Sequence, residues 1–196
     1  MKKFTADFET ATWKKEETWV WAWAISEISE LENFQFGSNI DEFMEFCKKQ
    51  KNAYFYFHNL KFDGEFIIYW LLNNGFKWVE SKKEVETNTF TTLISDLGQF
   101  YNIEVYFYKN GKNVKKASFF DSLKIIPFSV SEVAKTFHLE EQKLQIDYKK
   151  EREKGHKLTE EEIAYIKNDV VIISKALKQI FDGGLTRMTS ARKRPF

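Results

Sequence analysis

The chain has 196 residues, a length that usually forms one domain around a single hydrophobic core. Hydrophobic residues make up 43% and charged residues 30%, a composition typical of a globular rather than a disordered protein. The formal net charge of +1 argues against a protein that coats nucleic acid through bulk electrostatics, so any nucleic-acid site must be local.

Neither cysteine content nor hydropathy indicates secretion or membrane insertion. The one cysteine, Cys47, cannot form an intramolecular disulfide and is best interpreted as a small buried residue. The first residues lack the apolar stretch of a signal peptide, and no run of about 18 apolar residues could span a bilayer. We expect a cytoplasmic, monomeric protein without a membrane partner.

The first half of the sequence predicts three strands and two helices. Apolar alternation predicts strands over residues 2–10 and 18–26, joined as a hairpin. A capped amphipathic segment predicts a helix over residues 41–49, and an almost wholly aromatic segment predicts a buried strand over residues 52–57. A second helix is predicted over residues 66–74.

The second half predicts three more strands and a long helix. The strands are expected over residues 90–96, 100–108 and 114–120, with Asn110-Gly111 as a hairpin turn and short helical pieces after the third strand. Acidic residues in a first turn predict a helix that starts near residue 160 and extends to residue 182.

These elements predict an α/β fold, a mixed β-sheet flanked by helices, in a single domain spanning residues 1–196. The tail from about residue 187 contains the basic string Arg192-Lys193-Arg194. Such a string could contact phosphate groups, but a flexible, solvated chain end is the simpler interpretation.

Two acidic residues lie on the first predicted strand. Because successive side chains of a strand alternate between faces, Asp7 and Glu9 project from one face and Phe8 from the other. Like charges held this close repel, which a fold tolerates best when a cation lies between them. The pattern alone is weakly specific, since Asp-x-Glu recurs at residues 63–65, and an exposed acidic edge is the default for an isolated pair.

Two further pairs of residues, each four positions apart, carry the remaining candidates. Asn59 and Asp63 fall where a strand passes into a helix, so they either reach over the end of the sheet or cap the helix. Tyr165 and Asp169 project from one face of the final helix, about one turn apart. Aspartate is unfavourable inside a helix, which indicates a special partner for Asp169 beside the apolar run 170–173.

Together these residues supply the oxygen ligands that phosphodiester hydrolysis requires. The four carboxylates could hold two Mg²⁺ or Mn²⁺ ions, and the phenol could orient an attacking water. A zinc cluster is not indicated, because the chain has one Cys and three scattered His, and no glycine-rich phosphate loop occurs. The aromatic content of 17% could also provide platforms for base stacking.

Six strings of residues follow one another along nearly the whole chain: DFET at 7–10, YFHNLKFDG at 56–64, NGFKW at 74–78, DSLK at 121–124, IDY at 146–148 and AYIKND at 164–169. In this order they resemble the amino-terminal 3′→5′ exonuclease (proofreading) domain of protein-primed family B DNA polymerases. The resemblance implies a ribonuclease-H-like fold and a DEDD-type site of the tyrosine subclass. Such a site would release 5′-mononucleotides from single-stranded DNA with two Mg²⁺ or Mn²⁺ ions.

The resemblance also implies roles for individual residues. Direct metal binding is implied for three carboxylates: Asp7, Glu9 and Asp169. Asp63 would act through a coordinated water, and Tyr165 would orient the nucleophile. Lys143 would position the scissile phosphate or the tyrosine, although it lies in the charged stretch 140–143 and could be an ordinary surface residue.

The same resemblance implies contacts to single-stranded DNA from nine residues: Thr10, Tyr56, His58, Asn59, Phe62, Phe66, Ser122, Leu123 and Tyr148. Phe62 and Leu123 would stack or wedge against terminal bases, while polar side chains hold the strand without reading its sequence. Simpler alternatives exist. Phe62 and Phe66 are also spaced as helix core, Leu123 could simply pack, and a lone His58 is more often a hydrogen-bonded structural residue.

Some positions depart from the family pattern. Glu65 places a carboxylate beside Asp63, which would perturb metal affinity if it faced inward, and Leu144-Gln145 replaces a more polar pair. No polymerase motif occurs before Phe196, so we expect no polymerase activity from this chain. Its expected partners are a single-stranded DNA 3′ end and, as further candidates, a polymerase module or a terminal protein. If a phage or mobile element encodes the chain, the expected compartment is the cytoplasm of a bacterial host cell. A 3′→5′ exoribonuclease of the same superfamily and a catalytically weak DNA-binding module are the alternatives.

Overall fold

The computed structural model describes residues 1–11 and 17–185, which form an eight-stranded mixed sheet flanked by helices. The strands are β1 (Lys3–Thr10), β2 (Val20–Glu27), β3 (Phe34–Gly37), β4 (Ala53–Phe57), β5 (Lys77–Trp78), β6 (Thr89–Ile94), β7 (Phe100–Asn110) and β8 (Asn113–Asp121). The helices are α1 (Ile40–Lys49), α2 (Leu60–Asn73), α3 (Val130–Thr136) and α4 (Glu160–Asp182), with a 3₁₀ helix at Ser122–Lys124. The strand order is β3-β2-β1-β4-β8-β7-β6-β5.

Strand β1 lies inside the sheet, antiparallel to β2 and parallel to β4. Its Phe8 points into an aromatic core, whereas Asp7 and Glu9 alternate onto the opposite face. Their cross-strand neighbours on β2 are Ala24 and Ala22, both fully buried. These small side chains leave room for α4 to pack closely over the two carboxylates.

Hydrophobic cores cover both faces of the sheet. On one face α1 and α2 cover an aromatic core, in which the Phe43 ring lies edge-on to Phe8 at 4.8 Å and to Phe57 at 5.9 Å between centroids. On the other face α3 and α4 pack through a separate set of mainly aliphatic residues. Removing one buried phenylalanine ring typically costs about 3–5 kcal/mol, so these cores fix the strand that carries the site.

The predicted mixed sheet flanked by helices is confirmed, as is the antiparallel pairing of the first two strands. Apart from α2, each predicted strand and helix has a counterpart whose ends differ by at most two residues. The turn at Asn110-Gly111 joins β7 to β8, with Gly111 at a φ of 56°. Strands β3 and β5 were not predicted, because short, largely exposed edge strands carry little apolar alternation.

The predicted start of α2 is wrong, because the helix begins at Leu60 rather than at residue 66. Asn59 turns the chain out of β4 with a left-handed backbone (φ 85°, ψ 59°), and its side chain does not cap the helix. Asp121 Oδ1 accepts hydrogen bonds instead from the backbone N–H groups of Asn59 and Leu60, at 3.2 and 3.3 Å. This cap comes from a distant strand, so local patterns could not show it. Asp63 consequently lies in the first turn of α2.

Three further predictions concern a membrane-spanning segment, the basic tail and the burial of Cys47. No helix among the described residues is long and apolar enough to cross a bilayer. The predicted basic tail lies outside the described residues. Cys47 is a buried free thiol within α1, as its interpretation as a small core residue requires.

Candidate active site

Three carboxylates converge on the face of the sheet that α4 covers. Asp7 and Glu9 project from β1, and Asp169 projects from α4. One oxygen atom from each lies within 4.8 Å of the others. Glu9 and Asp169 are buried and Asp7 is half-buried. The cluster therefore occupies a recess, and the alternative of an exposed acidic edge is excluded.

Hydrogen bonds to β1 set the position of α4 over the carboxylates. The hydroxyl of Thr5 donates to the carbonyl oxygen of Val170 at 2.8 Å and lies 2.6 Å from the hydroxyl oxygen of Ser174. Thr5 alternates onto the same face of β1 as Asp7. These bonds, to the residue that follows Asp169 and to Ser174 further along α4, thus hold the Asp169 carboxylate opposite Asp7.

Asp63 reaches the same region from the first turn of α2 and is buried. It lies outside the group of three carboxylates whose oxygens could share one ion. Burial, followed by repulsion from Asp7, raises the pKa of Asp63 well above its usual range. The geometry thus separates Asp63 from the other three acids, and its predicted role through a coordinated water stays a prediction.

Burial and mutual repulsion also raise the pKa values of the two carboxyls on β1. Burial is the larger cause for both: the pKa of Asp7 rises to about 7 with a contribution from Asp169, and that of Glu9 rises to about 9 with a contribution from Asp7. A cation placed between these groups would relieve the repulsion. The electrostatics of the recess therefore favour a bound positive ion.

Lys143 supplies a positive charge from the side of this cluster. Its Nζ donates a hydrogen bond to Asp169 Oδ2 at 2.9 Å. Burial lowers the pKa of the Lys143 ammonium, but the hydrogen bond and the charge of Asp169 outweigh burial, so the pKa is raised. The alternative of an ordinary surface lysine is excluded, because this side chain contacts the candidate site directly.

Two tyrosines connect the recess with the surface. Burial, followed by the charge of Glu9, raises the pKa of Tyr165, so its phenol stays protonated at neutral pH and can donate a hydrogen bond. The hydroxyl oxygens of Tyr165 and Tyr148 are 2.5 Å apart, and either can be the donor. Tyr148 is half exposed, whereas Tyr165 is buried. The pair therefore leads from solvent to the carboxylates.

The donor set fits hard divalent cations. All of the acids are carboxylates, the ligands that Mg²⁺ and Mn²⁺ prefer. Asp169 Oδ1 and Asp63 Oδ1 are buried and have no hydrogen-bond partner among the described residues. A buried acceptor without a partner is costly, and a coordinated ion or a water bound to it would satisfy both atoms.

The predicted DNA-binding residues divide into an accessible and a buried group. Those that are exposed or half-buried are His58, Asn59, Phe62, Phe66, Leu123 and Tyr148. Phe62 is 47% exposed, and its ring lies 5.8 Å from that of Phe66. The helix-core alternative is therefore excluded for Phe62, whereas it applies in part to Phe66, which packs against the aromatic core.

The other three, Thr10, Tyr56 and Ser122, are buried. The ring of Tyr56 stacks on Phe120 at 5.5 Å and belongs to the core beneath α3 and α4. The hydroxyl of Ser122 donates to the carbonyl oxygen of Phe57 at 3.0 Å. The structure thus gives these side chains packing or positioning contacts, and their direct contact with DNA stays a prediction.

His58 matches the structural alternative proposed for it. Its Nδ1 lies 3.1 Å from Ser122 Oγ and its Nε2 lies 2.6 Å from the carbonyl oxygen of Phe128. Burial lowers the pKa of His58, which favours the neutral imidazole. The neutral ring donates from Nε2 to the carbonyl oxygen of Phe128, and its Nδ1 faces Ser122, so His58 joins β4 to the chain after the 3₁₀ helix.

Sequence reasoning missed two buried ionic residues beside the site, Asp121 and Arg152. Asp121 Oδ1 also accepts a hydrogen bond from the N–H of Leu123 at 3.0 Å, so one carboxylate caps both α2 and the 3₁₀ helix. An Asp directly before Ser122-Leu123 is a recognisable cap signal, whereas Arg152 lies in an irregular charged segment that offers none. Glu65 is exposed, so the expected condition for disturbing the metal site, an inward orientation, is not met.

A mixed sheet of this order, crossed by a helix that completes a carboxylate cluster on its central strand, defines a ribonuclease-H-like α/β protein. The family described as DNA polymerase type B, organellar and viral, matches residues 44–191, and the chain belongs to this family.

Comparison with individual proteins gives the same result. The chain is 47% identical over 189 residues to the DNA polymerases of Bacillus phage B103 and Bacillus phage phi29, covering 96% of this chain and 32% of each relative. The solved structure of phi29 DNA polymerase complexed with single-stranded DNA matches with a TM-score of 0.91 at 46% identity, over 96% of this chain and 33% of that chain. The chain thus spans about a third of the length of these relatives.

Proposed function

We propose that this chain is a two-metal-dependent 3′→5′ exonuclease that shortens single-stranded DNA to 5′-mononucleotides, as the proofreading domain of a protein-primed DNA polymerase or as a stand-alone relative. The observation that carries the proposal is the recess in which Asp7, Glu9 and Asp169 meet within 4.8 Å beside Lys143 and Tyr165. The relatives named as DNA polymerases, one of them solved with single-stranded DNA, support DNA as the substrate.

Each group around the recess has a chemical task in this proposal. The three clustered carboxylates would hold the ions, with Asp63 holding a coordinated water. Bound Mg²⁺ or Mn²⁺ would supply a water nucleophile of lowered pKa and would stabilise charge on the leaving oxygen. Tyr165, whose phenol stays protonated, would orient that water by donating a hydrogen bond, and the Lys143 ammonium would orient the scissile phosphate.

The strand would reach the recess across the surface formed by α2 and the 3₁₀ helix. The exposed ring of Phe62 and the half-buried Leu123 would contact terminal bases, and Asn59 and Tyr148 would hold the sugar-phosphate backbone. None of these contacts distinguishes one base from another, as a proofreading enzyme requires. A net charge of +1 is compatible with recognition limited to a few terminal nucleotides.

End-labelled DNA with Mg²⁺ or Mn²⁺ tests the proposal directly. We expect the wild type to release mononucleotides, and Asp7→Ala and Asp169→Ala to lower the rate at least about 100-fold, because each removes a metal ligand. Asp182→Asn is the matched control, since Asp182 lies on the same helix as Asp169 but is exposed. Equal rates for all four proteins, or no release by the wild type, would contradict the proposal.

Two further measurements distinguish a DNA exonuclease from an exoribonuclease and from a DNA-binding module. An RNA oligonucleotide of the same sequence, degraded faster than DNA, would indicate an exoribonuclease. Binding of single-stranded DNA without release of mononucleotides would indicate a binding module.

A further inference from the structure

The segment that carries Lys143 and Tyr148 contains neither helix nor strand. It spans residues 139–159, between α3 and α4, yet it places both side chains against α4. A catalytic side chain on an irregular segment needs specific anchors, because positional errors of about 1 Å can lower rates about 100-fold. Lys143 and Tyr148 therefore depend on contacts that hold this segment in place.

Arg152 is the main buried anchor. Its side chain is among the largest that are fully buried in the described residues. Its Nε donates to Glu162 Oε1 at 2.8 Å, and its Nη1 donates to the carbonyl oxygens of Asp147 and Lys150, both at 2.9 Å. One guanidinium thus joins the first turn of α4 to the backbone on both sides of Tyr148 and Lys149.

The partners of Arg152 are themselves held in place. The guanidinium lies 4.3 Å from the ring centroid of Trp21 on β2, which supports it from the sheet. Glu162 Oε2 accepts hydrogen bonds from the backbone N–H of Thr159 at 3.0 Å and lies 2.7 Å from His156 Nε2. The carboxylate is therefore fixed at the start of α4, and the planar guanidinium transmits that position to the loop.

We propose that Arg152 is a positioning residue for the exonuclease site: it clamps the backbone of residues 147–150 to Glu162 and so holds the Tyr148 hydroxyl against Tyr165. This inference rests on the proposed function. Arg152 does not touch the reacting atoms, and it acts through the Tyr148–Tyr165 contact. Lysine cannot replace it, because a single ammonium on a flexible stem cannot reproduce the fork that reaches two carbonyls and a carboxylate.

Single substitutions test the clamp. We expect Arg152→Met and Arg152→Lys to lower kcat on single-stranded DNA about 100-fold, since both remove the fork. Lys150→Met is the matched control: Lys150 Nζ also pairs with Glu162 Oε1, at 3.2 Å, but that lysine is half exposed and its backbone carbonyl is unchanged. We expect it to stay within about twofold of the wild type. An Arg152→Met rate no lower than that of Lys150→Met would overturn the proposal.

A double-mutant cycle separates positioning from general destabilisation. If Arg152 acts through Tyr148, then Arg152→Met should lower kcat at most about threefold further once Tyr148→Phe is present, because contacting residues are non-additive. If Arg152→Met lowers kcat by the same factor in the Tyr148→Phe variant as in the wild type, then Arg152 does not act through Tyr148. Should Arg152→Met fail to fold, as judged by thermal unfolding, Arg152→Lys carries the same comparison.

A measurement without substrate keeps the clamp testable if the chain proves not to be an exonuclease. The amides of Lys149 and Lys150 donate hydrogen bonds to Asp147, and their hydrogen exchange should speed up about tenfold in Arg152→Lys. The Lys149 amide should stay near the wild-type rate in Lys150→Met. An unchanged exchange rate in Arg152→Lys would contradict the proposal that Arg152 holds residues 147–150 in place. Absence of nuclease activity in the wild type would instead sink the proposed function and leave the exchange result intact.

Discussion

Asp7 and Glu9 stand on an interior strand of the sheet, where carboxylates are costly to ionise. Both lie close to Asp169, which projects from α4. Burial raises the pKa of Asp7 to about 7 and that of Glu9 to about 9. Apolar residues at both positions would pack better under a helix. The pair is therefore best explained as a cation site. Without a cation, these carboxylates should measurably lower the free energy of unfolding.

The free energy of unfolding of the metal-free protein should fall as pH rises from about 5 to about 9. In the unfolded chain these carboxyls ionise at about pH 4, whereas the folded protein still holds their protons up to the raised pKa values. Above pH about 4 the folded state thus binds more protons than the unfolded state, so raising the pH disfavours folding. Thermal unfolding in EDTA across this range measures the effect.

Glu9→Gln tests the assignment of that pH dependence. Removing one carboxyl whose pKa is raised should make Tm fall less steeply with pH. Saturating Mn²⁺ should have the same effect on the wild type, because the ion binds the folded state. Glu161→Gln is the control, because Glu161 lies on α4 but is exposed. A pH dependence in Glu9→Gln equal to that of the wild type would contradict the electrostatic description of the recess.

At the scale of elements, one carboxylate organises the surface proposed to receive DNA. Asp121 ends β8 and caps both α2 and the 3₁₀ helix, so the segments that carry Asn59, Phe62 and Leu123 share a single hydrogen-bond acceptor. It is buried, so these bonds are shielded from water. Loss of this acceptor should loosen both segments together.

Asp121→Ala should lower the free energy of unfolding by about 2 kcal/mol, because three backbone N–H groups lose their acceptor. Asp121→Asn keeps an oxygen acceptor at the same place and should lose less than about half of that. Urea unfolding of the three proteins gives both values. Equal losses in the two variants would show that the negative charge, rather than the hydrogen bonds, stabilises the two helix starts.

The elements differ in how far local sequence predicted them. Strand β1 and helix α4 follow from apolar alternation and from acidic residues in a first turn, signals that lie within the element itself. Helix α2 starts six residues before its predicted start, because its cap comes from β8. The contact of Lys143 with Asp169 likewise joins an irregular segment to a helix, which no periodicity reveals.

At the scale of the whole molecule, the nearly neutral charge limits how the proposed substrate, DNA, would be bound. With a formal net charge of +1, we expect affinity to come from the site and from stacking rather than from a broad cationic surface. For single strands, the logarithm of the affinity falls with the logarithm of salt concentration by about 0.7 for each phosphate contacted by a cation.

Binding of a labelled oligonucleotide to the Asp7→Ala variant should therefore depend weakly on salt, with a slope no steeper than about −2. Fluorescence anisotropy between low and moderate salt gives the slope, and Lys143→Met should reduce it by about 0.7 if Lys143 contacts a phosphate. A slope steeper than about −4 would reveal a cationic surface that the net charge does not suggest.

Local sequence patterns were sufficient to predict the class of fold, the two carboxylates on one face of β1 and the Tyr165–Asp169 pair on one face of α4. Strand alternation and helical periodicity are local properties, and they place side chains on a given face without further information. Contacts between distant parts of the chain bring these faces together, place Lys143 and Tyr148 against α4, and join Asp121 and Arg152 to their partners. Those contacts depend on long-range packing between elements, which local periodicity does not encode.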